Sequence, residues 1–243
     1  MLKSQDAIYK LGKFSAFIVD RVAKAQDGLP TKDVGKRIMN LLFEEGGDEP
    51  PRPTIDLKAR YWFDNFYYYL EIIHSFERLY QAYGYLQKYP GLRYYSFYRI
   101  NELNWIRYNI EFFFQQNYIM HQHTSKWIDF LLTRARHKPD KEVIETHLME
   151  LRKAVDKAFK GINRIRGQHV HQFTYEEKDF VRAETAMFLT SVLKIKNLAV
   201  VTNITLAQIA KEWRKTFQDN ILSMIKSYDV ILGVLAKIIK ELE

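Results

Sequence analysis

Arg164-Ile165-Arg166-Gly167-Gln168-His169-Val170-His171 places two guanidinium groups and two imidazoles in one short stretch of the chain. An arginine can clamp a phosphate with two parallel hydrogen bonds and stabilise added negative charge on it. A histidine titrates near neutrality and can give or take a proton there. The two functions together are what cleavage of RNA by its own 2′-hydroxyl requires, with no metal: an acid or base and a charge stabiliser. The same residues also have a plainer reading, in which Arg166 pairs with a carboxylate such as Glu177 and closes a helix end while the imidazoles satisfy turn carbonyls.

Other chemistry-bearing sets are thinner. Glu71-Ile72-Ile73-His74 has the Glu-x-x-His form used by di-iron helix bundles, but such sites need the unit twice and no second copy exists. His121 and His123 stand two apart, which on a helix splits them by about 200°. They would converge only on a strand or an irregular turn, and a metal there would need carboxylates from elsewhere. Cysteine is absent, which excludes disulfides, thiolate zinc sites and a cysteine nucleophile. Neither a phosphate-binding glycine loop nor a Gly-x-Ser-x-Gly elbow occurs, so ATPase, kinase, dinucleotide and serine-hydrolase chemistry have no motif, and no cofactor or metal is expected. Arg93-Tyr94-Tyr95-Ser96-Phe97-Tyr98-Arg99 interleaves cations with rings as a base-stacking platform would, although aromatics at helical spacing more commonly fill a core.

The elements that must carry these residues read as helices. Hydrophobic residues make up 47% of the 243, and the 10 Gly and 6 Pro are too few to punctuate many short strands. Ile8, Leu11, Phe14, Ile18 and Val22 recur at spacings of three and four, and Val34, Ile38, Leu41 and Leu42 share a second face, so residues 1–45 read as an N-terminal helical hairpin. Residues 46–54, with three Pro and two Gly, read as a linker. Residues 55–243 then form a bundle. Long helices are expected over about 55–89 and 94–136, the latter with a break near His121, and a third from an Asp140 cap to about Arg166. Residues 166–174 are expected to be irregular. Thr174 to Glu177 and Thr205 to Gln208 have the capping-box form and predict the last two helix starts, with Leu198-Ala199-Val200-Val201 as connector between them. The fold class is all-α, an extended up-and-down helical bundle with a long C-terminal helix.

The Arg166 to His171 segment resembles the signature of the HEPN (higher eukaryote and prokaryote nucleotide-binding) superfamily: an Arg, four to six residues and a His at the end of a helix, here with Val170 before the His. The similarity covers roughly residues 60–195, leaving the N-terminal hairpin and last helix outside it. Where the family often has a polar residue after the Arg, this chain has Gly167; the frame Arg164 to His169 puts Ile165 there. The resemblance implies a HEPN-like core and a homodimer in which two motifs face one cleft. It implies a metal-independent endoribonuclease with His171 transferring the proton and Arg166 holding phosphate, and a toxin–antitoxin or defence setting with an antitoxin or other regulatory protein as partner. Arg164, Gln168 and His169 would support RNA binding. Some members of the family only bind, so a non-catalytic module for RNA, a nucleotide or a protein partner is the alternative.

A net charge of +8 would attract a polyanion, although the charge looks scattered along the chain. The first residues lack an apolar signal core and no run of about 18 uncharged apolar residues occurs, so a cytoplasmic protein without a membrane span is expected. A third reading is a scaffold whose basic charge is incidental.

Overall fold

The computed structural model describes residues 14–22, 24, 57–91, 95, 97–98, 100–172, 178–193 and 196–243; the side chains of 57–59, 165–172, 193 and 196–197 are outside that description. Among the described residues every regular element is a helix, and the chain is all-α. We number them α1 (residues 14–22), α2 (Leu57–Tyr85), α3 (Glu102–Ala135), α4 (Lys141–Gln172), α5 (Lys178–Leu193) and α6 (Lys196–Leu242).

Amphipathic spacing makes each helix and directs it to the core. On α4, Ile144, Leu148, Leu151, Val155 and Phe159 follow one another at three and four residues, and all are buried. Phe14, Ile18 and Val22 of α1 bury into the same core as the residues beyond the Pro-rich segment. Expected residues 31–45 and 46–54 lie outside the described residues. Asn101 caps α3, its side-chain oxygen accepting the Asn104 N–H at 2.8 Å. Pro90 and Gly91 follow α2, and Gly91 takes φ 58°, the left-handed conformation that favours glycine. The turn at Arg136–Asp140 contains the Pro139 break read from the sequence.

Side-chain pairs fix the topology. Asn65 of α2 accepts the Trp127 indole N–H of α3 at 2.8 Å, and near the other end of both helices the rings of Tyr85 and Trp105 lie 5.8 Å apart, so α2 and α3 are antiparallel. His121 with Asp156 and Asp129 with Arg152 make α3 and α4 antiparallel as well. α6, 47 residues and so about 70 Å long, runs parallel to α3: Phe113 stacks on Phe217 at 3.7 Å, and Thr124 meets Tyr228 farther on. Its far end receives the Tyr61 hydroxyl, which donates to the Ile239 carbonyl at 3.0 Å, and Glu243, which pairs with Arg21 of α1 at 2.9 Å. One core thus runs through α2, α3, α4 and the length of α6, joined by Phe14, Ile18 and Val22 of α1 and by Phe180 and Ala183 of α5.

Three local expectations are corrected. α3 is continuous through His121, because the aromatic and aliphatic face on either side of it packs without interruption. α4 does not stop at Arg166: its backbone stays helical through Gln172. Thr205 is not a cap, since α6 already runs from Lys196; its hydroxyl donates back to the Val201 carbonyl at 2.9 Å, as Thr does inside a helix, and residues 198–201 are helix rather than connector. The capping motif and the β-branched run are local signals, and packing of α6 on α5 overrides both. The Thr174 cap lies outside the described residues.

Candidate functional site

α4 carries the candidate residues. Its buried face is apolar, and its opposite face in the second half is basic: Lys153, Lys157, Lys160 and Arg164 follow at spacings of four, three and four, which aligns them along one side of a helix. All four are exposed, and none makes an ion pair among the described residues. Ala154, Ala158 and Gly161, also exposed, lie beside them, and a Cβ built on Gly161 meets nothing within 4 Å. The row is a line of positive charge, with the exposed Asp156 carboxylate on its other flank, that ends where the Arg166 to His171 segment begins. The helical period thus gathers four of the chain's 37 Lys and Arg residues on one face.

Of the sequence-selected residues, Arg164 is exposed at the end of this row. The backbone positions of Arg166, Gln168, His169 and His171 lie on the last turns of α4, while their side chains are outside the described residues. Five residues along a helix advance about 500°, so positions 166 and 171 are about 140° apart around the axis. The helix thus sets the two backbone positions on different sides of its axis.

One turn and more before that segment, α4 meets His121 of α3. The imidazole Nε2 lies 2.8 Å from Asp156 Oδ1, and Nδ1 lies 3.4 Å from the amide nitrogen of Asn163. A ring that donates from Nε2 to the carboxylate and accepts from the Asn163 amide at Nδ1 satisfies both contacts. Phe159 packs on the ring with centroids 5.1 Å apart. Asn163 Oδ1 is buried and has no partner among the described residues. The sequence carries no signal for Asp156 and Asn163 as partners of His121, because only the pairing of α3 with α4 brings them together.

His123 faces the other way, as a spacing of two requires. Its Nε2 is 3.5 Å from Glu71 of α2. Burial lowers its affinity for a proton, Lys126 and Arg78 add to that, and Glu71 opposes it. Glu71 thus turns to His123, while His74 is exposed, and the Glu-x-x-His unit gathers no metal set. No group of three or more His, Asp or Glu converges to hold a metal among the described residues.

The aromatic segments divide between core and surface. Tyr61, Trp62 and Tyr69 are buried, whereas Phe97 is 81% and Tyr98 56% exposed. Arg93, Tyr94, Ser96 and Arg99 lie outside the described residues. No helix among the described residues is long and apolar enough to cross a membrane. The chain matches no family model, no curated protein and no solved structure.

Proposed function

We propose that the chain is a metal-independent endoribonuclease of HEPN type, cleaving RNA through Arg166 and His171 at a cleft between two copies. The observation that carries this reading is the row Lys153, Lys157, Lys160 and Arg164, exposed, without ion pairs among the described residues and aimed along α4 at the Arg166 to His171 segment. Its charge suits a phosphate backbone, and such interactions supply the sequence-independent part of nucleic-acid affinity. The all-helical architecture agrees with the resemblance, and the angle of about 140° between positions 166 and 171 agrees with a site shared by two chains.

In the reaction, the 2′-oxygen of one nucleotide attacks the adjacent phosphorus, forming a 2′,3′-cyclic phosphate as the bond to the 5′-oxygen breaks. The 2′-hydroxyl loses a proton and the departing 5′-oxygen gains one; His171 is the group of suitable pKa for such a transfer. Arg166 holds the phosphate and stabilises the extra charge of the transition state.

The test is cleavage of single-stranded RNA by purified protein in EDTA, with the product end analysed. Fragments ending in cyclic phosphate are expected, with loss of about a hundredfold or more in His171→Ala, in line with acid–base contributions of about 10² to 10⁴. Intact RNA across several substrates sinks the catalytic reading. The alternative, a non-catalytic module binding RNA, a nucleotide or a protein partner, is favoured by Gly167, which has no side chain to orient a reacting group. Salt-sensitive binding without cleavage is its signature. A cytoplasmic setting and a regulatory protein partner belong to the same proposal.

A further inference from the structure

At the end of the bundle where α2 stops and α3 begins, a cleft of about 280 Å³ opens between Tyr85, Lys88 and Tyr89, Glu102 and Trp105, and Arg214 of α6. Its rings are fixed in place. The Trp105 indole N–H donates to the Tyr85 carbonyl at 3.1 Å, and the Tyr89 hydroxyl donates to the Ile100 carbonyl at 2.6 Å. Tyr85 stands edge-on to Trp105 at 5.8 Å, and Tyr95 packs against Trp105 at 5.5 Å. The Arg214 guanidinium is held by the carbonyls of Ala210 and Gln87 at 3.2 and 3.3 Å. With their polar atoms committed to the backbone, Trp105 and Tyr89 offer ring surface rather than hydrogen-bond readout.

We infer that this cleft is a binding site for one unpaired nucleobase with its phosphate. Its volume is at the small end of ligand pockets, enough for one ring system. Aromatic walls can attract either a base or a quaternary ammonium group. The charges decide between them: Lys88 and Arg214 stand against Glu102 alone, a balance that repels a cation and favours a phosphate. Because ring surfaces read no base edge, recognition tolerates any base. The antiparallel pairing of α3 with α4 brings the last turns of α4 alongside the first turns of α3, the turns that carry Trp105. A strand lying at the Arg166 to His171 segment would therefore lie toward the end of the bundle that carries this cleft. In naming an RNA strand as the source of the base, the inference rests on the proposed function; the site itself does not.

The experiment measures binding of the full chain to three probes: AMP, a fluorescein-labelled single-stranded oligodeoxynucleotide of ten adenines, and the same strand in duplex. Without a 2′-hydroxyl the DNA cannot be cut by the proposed reaction, so binding is read independently of catalysis. Tyr85→Ala is expected to weaken single-strand binding about tenfold or more, the scale of one base stack, with duplex binding unmoved. Tyr67→Ala, which removes an exposed ring elsewhere on α2, should bind as the parent does. If Tyr85→Ala and Trp105→Leu, both folded by circular dichroism, keep parental affinity for single strand and AMP, the site is wrong. If AMP alone binds, with the same dependence on Tyr85, the cleft takes a free nucleotide and the strand as source is overturned. Absence of binding to all three probes overturns the site, whereas RNA cleavage without Tyr85 dependence would leave the proposed function standing and remove only this inference.

Discussion

His123 and His121 are two residues apart on one helix and live in different surroundings. His123 is held below its ordinary value of 6.5, first by burial and then by Lys126 and Arg78, with the Glu71 carboxylate only partly compensating. A depressed histidine pKa means that the fold favours the neutral ring. Its contribution is present in full above 6.5 and is lost as pH falls through the folded value, because protonation then favours the unfolded chain. We expect the denaturant midpoint to fall between about pH 7 and pH 5, and His123→Gln to flatten part of that fall. An unchanged slope in the variant would show that other groups govern acid stability. At this scale the sequence is informative about direction and silent about partners. A spacing of two sends the imidazoles to opposite sides, as observed, but Asp156, Asn163 and Glu71 are far away in the chain and meet them only through helix pairing.

Elements explain the remaining local surprises. The Thr205 to Gln208 capping box is written in the same letters as a helix start, yet Thr205 lies well inside α6 and bonds back to Val201. The two descriptions make opposite predictions for Thr205→Ala. Removing a cap would destabilise by about 1 kcal/mol; replacing an interior Thr with the best helix former should leave stability unchanged or raise it by about 0.5 kcal/mol. We expect the second result in urea unfolding. On α4 the row of cations is legible from spacing once the helix is granted, whereas the exposed Ala154, Ala158 and Gly161 beside it are not, because small residues carry no signal of their own. Charge reversal at Lys157 and Lys160 should weaken single-stranded RNA binding and reduce the slope of log affinity against log salt by about 0.7 for each phosphate no longer neutralised. A salt slope that ignores both lysines would place the polyanion on another face of the molecule.

For the whole molecule, α6 connects the ends. Its first half packs with α5 and approaches the Tyr85–Trp105 cleft through Arg214, while its second half closes the core from Phe217 to Ile239. Sequence periodicity identifies the C-terminal helix as long and apolar on one face, but not that it runs parallel to α3, since pairs such as Phe113 with Phe217 and Thr124 with Tyr228 are set by three-dimensional packing. Phe217 is fully buried, and its ring stacks on Phe113 at 3.7 Å while Trp213 meets it edge-on at 6.0 Å. Phe217→Ala therefore removes a large core side chain and should cost about 3 to 5 kcal/mol. If the bundle unfolds as one unit, that loss is shared along its length. Hydrogen exchange should then accelerate by one factor in the most protected amides around both Leu206–Phe217 and Tyr228–Ile239, although the second stretch lies turns away from the substituted ring. Acceleration confined to the first stretch would instead mean that the end bearing the cleft opens apart from the end bearing Trp62 and Trp127, and the base site could then be lost while the rest of the core stays folded.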